Sequence, residues 1–419
     1  MKYLSFLFLF AIGSLTAQPA PSLQLLTTAD GLSQGMVLDI IQSRDGFMWI
    51  ATKDGLNRYD GSRFKVFSPN PFDPFAIGGS VVQNLYEDSR GWIWISQPEN
   101  LDVLDPVSGR FFHLMHEGKP IGNSFGAGFM ETPDGVLWLW DDDRIWKTSP
   151  TKDMLVKAAR QGVANIELPC KAISLSAVSG WSGGPLQVRQ LHYSQEKKLL
   201  VCTNHGLFRI DPATEQIVPE MSIPDNYIQS LTESKSGELL LNGIQGSHSY
   251  LTLISNGKVL YKIEDSPRGL LSKFVFDDAG CLWAYNSTNR SIQKWRPSML
   301  FNDGMPELEI PSSVLRLEKN YGYGCISTMV DKSGNVWVGT SGYGIVKINK
   351  TGQKFKTSLP RTAHEIFYED PNGALYTGAI PDKKFLSNSF DHSAPNTDLP
   401  MIKDREQRCV TFDPAGNAW

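Results

Sequence analysis

The 419-residue sequence is short of cysteine and histidine and has no basic excess, and each shortage closes a class of explanation. Its five cysteines (Cys170, Cys202, Cys281, Cys325 and Cys409) are odd in number and scattered. None forms a C-x-x-C pair or a Cys/His spacing suited to zinc. Cys202 and Cys281 sit in apolar runs and read as buried thiols, while one disulfide stays open in an oxidising compartment. Of seven histidines, only His113 and His116 are closely spaced, and they lack the helical H-E-x-x-H context of a metal site. No nucleophile elbow and no phosphate loop is present. Asp141-Asp142-Asp143 lacks the spaced ligands of a calcium loop and reads as a solvated acidic hairpin. The expectation is therefore no catalytic residue, no metal and no cofactor. Lys and Arg total 40 against 44 Asp and Glu, a formal charge of −4, so the broad basic footprint of a nucleic-acid binder is missing.

Long apolar runs are also lacking. Past the N-terminus nothing reaches the ~18 uninterrupted apolar residues of a membrane helix. Residues 1–17 read as a secretory signal: Lys2 is the positive n-region, Leu4 to Leu15 the apolar stretch, and Ala17 the small residue before the cut. That predicts export.

What the sequence has in abundance is turn formers and aromatics: Gly 37, Pro 25, Trp 11, Phe 21 and Tyr 13. Such a mixture favours many short strands. Self-comparison shows one phrase written repeatedly. It runs apolar strand, Asp/Ser-x-x-Gly, two residues, Trp, a small residue two further on, then Gly-Leu-x-Arg/Lys. The clearest copies carry Gly46 with Trp49, Gly91 with Trp94, Gly135 with Trp138, Gly280 with Trp283, and Gly334 with Trp337. Weaker copies have Lys197 in the Gly slot with Leu200 in the Trp slot, Gly237 with Leu240, and Gly373 with Tyr376. A ninth begins at Asp413, Gly416 and Trp419. Most intervals lie near the ~40–50 residues of a four-stranded propeller blade.

The spelling has physical causes. Apolar residues recur every second position, as in half-buried strands, and the Asp/Ser-x-x-Gly between them is a hairpin whose Gly accepts positive φ. In the first copy the strands fall at about 36–42, 47–52, 56–60 and 63–68. The Trp slot is expected to face an adjacent blade. Small residues two positions on (Ala51, Ser96, Cys202, Gly339, Gly378) suit a crowded inner end. Trp140 and Tyr285 break that rule and mark irregular units. One blade alone exposes a sticky face, so a ring or a stack is required. The fold class is all-β: a propeller of four-stranded blades, seven in the first ring, with a single ring of eight or nine as the alternative.

Gly31-Leu-Ser-Gln-Gly-Met-Val-Leu-Asp-Ile40, Asp45 to Gly61, and Asp331 to Ile348 resemble the two-component regulator propeller repeats of periplasmic sensors in hybrid two-component systems. The resemblance extends from about residue 22 to the C-terminus. It implies two consecutive seven-bladed propellers, an immunoglobulin-like β-domain, a membrane helix and a cytoplasmic histidine kinase, with none of the later parts in this sequence. The expected layout is a signal peptide at 1–17, a first propeller at 18–355 and the truncated beginning of a second at 356–419. Leu23 to Thr28 is a candidate closing strand for the first ring.

The resemblance further implies a non-catalytic periplasmic ligand sensor, with an oligosaccharide as ligand, a homodimeric parent anchored in the inner membrane, and no nucleic acid bound by this segment. Long loops lie in the two widest repeat intervals, around Trp181 and from Pro297 to Asn320. Aromatics in irregular units or insertions that would stack on sugar rings are Trp140, Trp146, Trp181, Tyr321 and Tyr323. A propeller lyase acting on a polysaccharide or cyclic ester, and a protein–protein scaffold, are the alternatives.

Overall fold

A computed structural model describes residues 22–349, apart from 122–127, 142–143, 152, 176–177, 179–184, 212–213, 222–226, 246–247, 266–268, 303 and 316–323. It also gives the backbone of three strands, His364–Glu369, Leu375–Ala379 and Phe385–Asn388. The chain divides into two units, Met1–Gly352 and Gln353–Trp419. The expected signal segment, Trp181, Tyr321, Tyr323 and the ninth repeat lie outside the described residues.

The first unit is a seven-bladed β-propeller of four-stranded antiparallel blades. The inner strands, in blade order, are Val37–Gln42, Asn84–Glu87, Gly128–Glu131, Val188–Tyr193, Tyr227–Glu233, Leu271–Phe276 and Cys325–Val330. Each packs against the inner strand of the next blade, and the seventh packs against the first. Blade 1 adds Met48–Thr52, Gly55–Tyr59 and Phe64–Phe67, within a residue or two of the strands read from the sequence. Blade 7 takes its outermost strand from the other end of the unit: Leu23–Leu26 pairs antiparallel with Ile345–Ile348. The chain thus closes its own ring.

The Gly slot of the inner hairpin needs positive φ. Glycines 46, 91, 135, 237, 280 and 334 sit at φ between 75° and 89°, and Lys197 is forced to 61°. The Trp slot fills the seam between blades. Trp49, Trp94, Trp138, Trp283 and Trp337 are all 7% exposed or less, each packed with residues of the following blade.

The Asp that opens the hairpin does more than turn the chain. Asp331 Oδ1 accepts the Ser333 and Asn335 amides at 2.9 and 2.8 Å, while Oδ2 accepts the Trp337 indole N–H at 2.8 Å. Asp88 and Asp277 hold Trp94 and Trp283 in the same way, at 3.0 and 3.1 Å. Blade 1 has Ser43 there, and the buried Trp49 Nε1 has no partner.

In blades 1, 4 and 7 the small residue two positions past the Trp slot lies beside a β-bulge. The inner strands of blades 1, 4, 5 and 7 each carry an extra residue opposite the second strand. A bulge crowds two inner side chains against one residue. At Gly339, an added Cβ would come 2.5 Å from Ser327 Oγ and 2.7 Å from Val37 Cγ1. Blade 3 reverses the sizes instead of breaking the rule. Its inner strand pairs Gly128 with Trp140 without a bulge, and the indole fills the space a Cβ would need.

The widest repeat interval is only partly loop. The helix Met154–Gln161 and the strand Asn165–Glu167 fold back onto blade 2, the strand pairing parallel with Arg110–His116. Leu155, Ala158, Ile166 and Leu168 join the core around Trp94. The interval from 297 also begins with a helix, Pro297–Phe301, whose Leu300 packs between blades 5 and 6.

Candidate functional site: the axial channel

Among the described residues no strand lies inside the seven inner strands, so they line the propeller axis. Seven residues before the Gly slot of each repeat stands one position of that lining: Asp39, Asn84, Gly128, Gln190, Ser230, Lys273 and Ser327. None is fully buried, although all sit on innermost strands. Six of the seven bear a polar side chain, and none is histidine. Repeat alignment exposes this column, but a pattern search for catalytic or metal motifs does not.

Local geometry gives the members different jobs. Asp39 joins blade 1 to blade 2: its Oδ2 accepts the Leu85 amide at 2.9 Å, and its Oδ1 accepts the Ile40 amide at 2.8 Å. Burial pushes its carboxyl up to about 6, against those two hydrogen bonds and the charge of Lys273. Gln190 joins blade 4 to blade 5, taking the Leu231 amide at 2.9 Å and donating to the Leu231 carbonyl at 3.0 Å. Lys273 sits at φ 55° in an irregular stretch of its strand, and its carbonyl accepts from Thr328 Oγ1 of blade 7 at 2.7 Å.

At the hairpin end, a second repeating column staples the ring. Hairpin amides of one blade donate to the last inner-strand residue of the next: Arg44 to Glu87 at 2.8 Å, Gln195 to Glu233 at 3.0 Å, and Lys332 to Gln42 at 2.7 Å. Ser89 donates to Glu131 likewise, at 2.5 Å. The three carboxylates and the Gln42 amide oxygen thus hold neighbouring blades together.

The aromatic candidates do not gather into a platform. Trp140 is 6% exposed, its ring pressed over Gly128. Trp146 is half-buried against the core between blades 2 and 3, with the Arg144 guanidinium 4.7 Å from its ring centre. An aromatic that the sequence reading passed over, Phe72, is 94% exposed on a loop held by Asn70 and Asp73 turns.

His113 and His116 do not converge either. His113 Nδ1 lies 2.7 Å from the fully buried Asp102, and its Nε2 lies 3.1 Å from the Pro74 carbonyl. Asp102 also accepts the Gly78 amide at 2.7 Å, so the pair clamps the loop that enters blade 2. The hydrogen bond to Asp102 raises the His113 pKa against burial. His116 turns instead to the Leu168 carbonyl. Asp141 is buried and paired with Arg144 at 2.8 Å. Among the described residues, His248, Glu264 and Asp265 bring three ligand atoms together, but all three are exposed and His248 bonds Asp265. The thiols of Cys170, Cys202 and Cys325 are pushed by burial up to about 12, which makes them poor nucleophiles.

A 72-residue segment is 44% identical to histidine kinase P4 of Formosa agariphila, covering 17% of this chain and 5% of the kinase. The extracellular domain of a hybrid two component system from B. thetaiotaomicron superposes with a TM-score of 0.58 at 18% identity, over 95% of this chain and 51% of that one. This chain therefore spans about half the length of that solved relative. Inactive virginiamycin B lyase from Staphylococcus aureus, solved with quinupristin, superposes with a TM-score of 0.55 at 14% identity, over 78% of this chain and 99% of the lyase. At such identities these likenesses show the propeller fold alone. The family model for the two component regulator propeller matches residues 31–54, the entry and inner hairpin of blade 1, and the resemblance read from the sequence is to that family.

Proposed function

We propose that this chain is the ligand-sensing part of a two-component signalling protein, that it is exported to the periplasm, and that it binds an oligosaccharide without altering it. The observation that carries the reading is the axial column. It offers hydroxyl, amide and single charged groups, the chemistry that meets sugar hydroxyls, and no histidine or paired free carboxylates for acid–base work. Its carboxylate and one of its amides are already committed to holding neighbouring blades. In a membrane-anchored dimeric parent, ligand would change kinase output only by binding two arrangements with different affinity.

The test is calorimetric titration of the purified chain with a panel of oligosaccharides, each recovered afterwards for mass analysis. Saturable binding with the sugar returned intact is the expected result. A product whose formation is abolished by substituting a channel residue would instead establish a lyase-type propeller. Capture of a protein partner with no sugar bound would establish a scaffold.

A further inference from the structure

The oligosaccharide reading leaves the chemical type of sugar open, and one channel residue narrows it. We propose that Lys273 anchors a saccharide bearing a negative charge, a carboxylate or a sulfate, in the axial channel. The inference rests on the saccharide reading above.

Three observations on the sector formed by blades 6, 7 and 1 support it. First, Lys273 is exposed on an innermost strand, and among the described residues it forms no ion pair, Asp39 feeling its charge only at longer range. Second, the backbone is held unfavourably there. A φ of 55° is costly for a residue with a Cβ, and the Thr328 hydroxyl pins the Lys273 carbonyl at 2.7 Å. Third, the neighbouring groups leave the ammonium unspent. Both oxygens of Asp39 receive backbone amides. The Ser327 Oγ is buried without a partner. The Cys325 thiol turns to the Ser327 carbonyl at 3.5 Å. The sector therefore offers the three N–H groups of an ammonium, with Asp39 as the single opposing charge. A charged sugar pairs with the ammonium through charge-assisted hydrogen bonds, about twice as strong as those a neutral sugar's hydroxyls accept.

Three probes decide the matter, titrated into the 419-residue chain: a disaccharide ending in glucuronate, its sulfated counterpart, and the same disaccharide ending in glucose. One or both charged probes are expected to bind more tightly than the neutral one, and to weaken as salt rises from 50 to about 500 mM. K273Q is expected to lower that affinity about tenfold or more. K273R retains it within a few-fold, and D39N strengthens it. K273G relieves the positive φ, so it folds at least as well and still loses the charged probe. Equal binding of charged and neutral probes, or unchanged affinity in K273Q, overturns the role of Lys273 and leaves the saccharide reading standing. Binding of none of the three, with a broad glycan panel also blank, overturns both.

Discussion

Trp49 offers a sharp test of how the repeat is built. Three blades place an Asp six residues before the Trp, and its carboxylate takes the indole N–H at 2.8 to 3.1 Å. Ser43 fills that position in blade 1, its hydroxyl 3.3 Å from the Phe47 carbonyl, while the Trp49 N–H is buried without a partner. Leaving a buried donor unpaired costs about 1–3 kcal/mol, and a hydrogen bond to a charged acceptor contributes ~1.5–3 kcal/mol. Burial of the new carboxylate offsets part of the gain. Blade 6 shows the balance: burial raises Asp277, yet the bonds from Trp283, the Cys281 amide and Lys294 outweigh it and leave the pKa lowered. In blade 1, Lys332 Nζ already lies 3.0 Å from the Ser43 carbonyl. Ser43→Asp is therefore expected to stabilise the first propeller by about 1–2 kcal/mol, which at this size raises Tm by roughly 1.5–3 °C. Scanning calorimetry of S43D, W49F and the double variant measures it. The gain should vanish in the W49F background, where no indole N–H remains. An unchanged or lower Tm in S43D, or an equal gain with Phe at position 49, refutes the reasoning.

Lys197→Gly removes a side chain from a φ of 61° and should raise stability by about 1 kcal/mol, read as a higher denaturant midpoint at unchanged slope. Leu26→Ala, in the closing strand and 3% exposed, should cost about 2–5 kcal/mol and speed amide exchange at Ile345–Ile348; normal exchange there would mean that the strap does not close the ring. The His113–Asp102 pair should stabilise most below about pH 6.5, the unfolded value, and lose that contribution as pH rises through the raised folded value. Denaturation of H113Q against the parent chain should accordingly show a deficit that shrinks between pH 6 and pH 9. A deficit independent of pH would contradict the assignment.

Blade count, strand positions and the closing strand were legible because they rest on short-range causes: a period of two, a Gly that must take positive φ, and a Trp that must be covered. The exceptions were legible only halfway. Trp140 announces an irregular unit, but its compensation lies twelve residues earlier, in Gly128, and shows only when the two strands are paired. The excursion after Thr148 reads as loop because its helix and strand bury their apolar side on a different blade, which local spacing cannot register. The axial column was present in the repeat all along, seven residues before each Gly slot. Its residue types differ from blade to blade, so it carries no repeated motif. Aromatic content is a poor guide to the site, as Trp140 shows: a large ring beside a glycine is filling space.

The central claim is that the working surface of this propeller is its axis. Hydrogen–deuterium exchange of the intact chain, with and without a saturating saccharide, tests it most directly. Protection should concentrate on the inner strands, above all Leu271–Phe276 and Cys325–Val330, with the outer strands unchanged. Protection confined to outer strands such as Phe64–Phe67 or Lys258–Glu264 would contradict it.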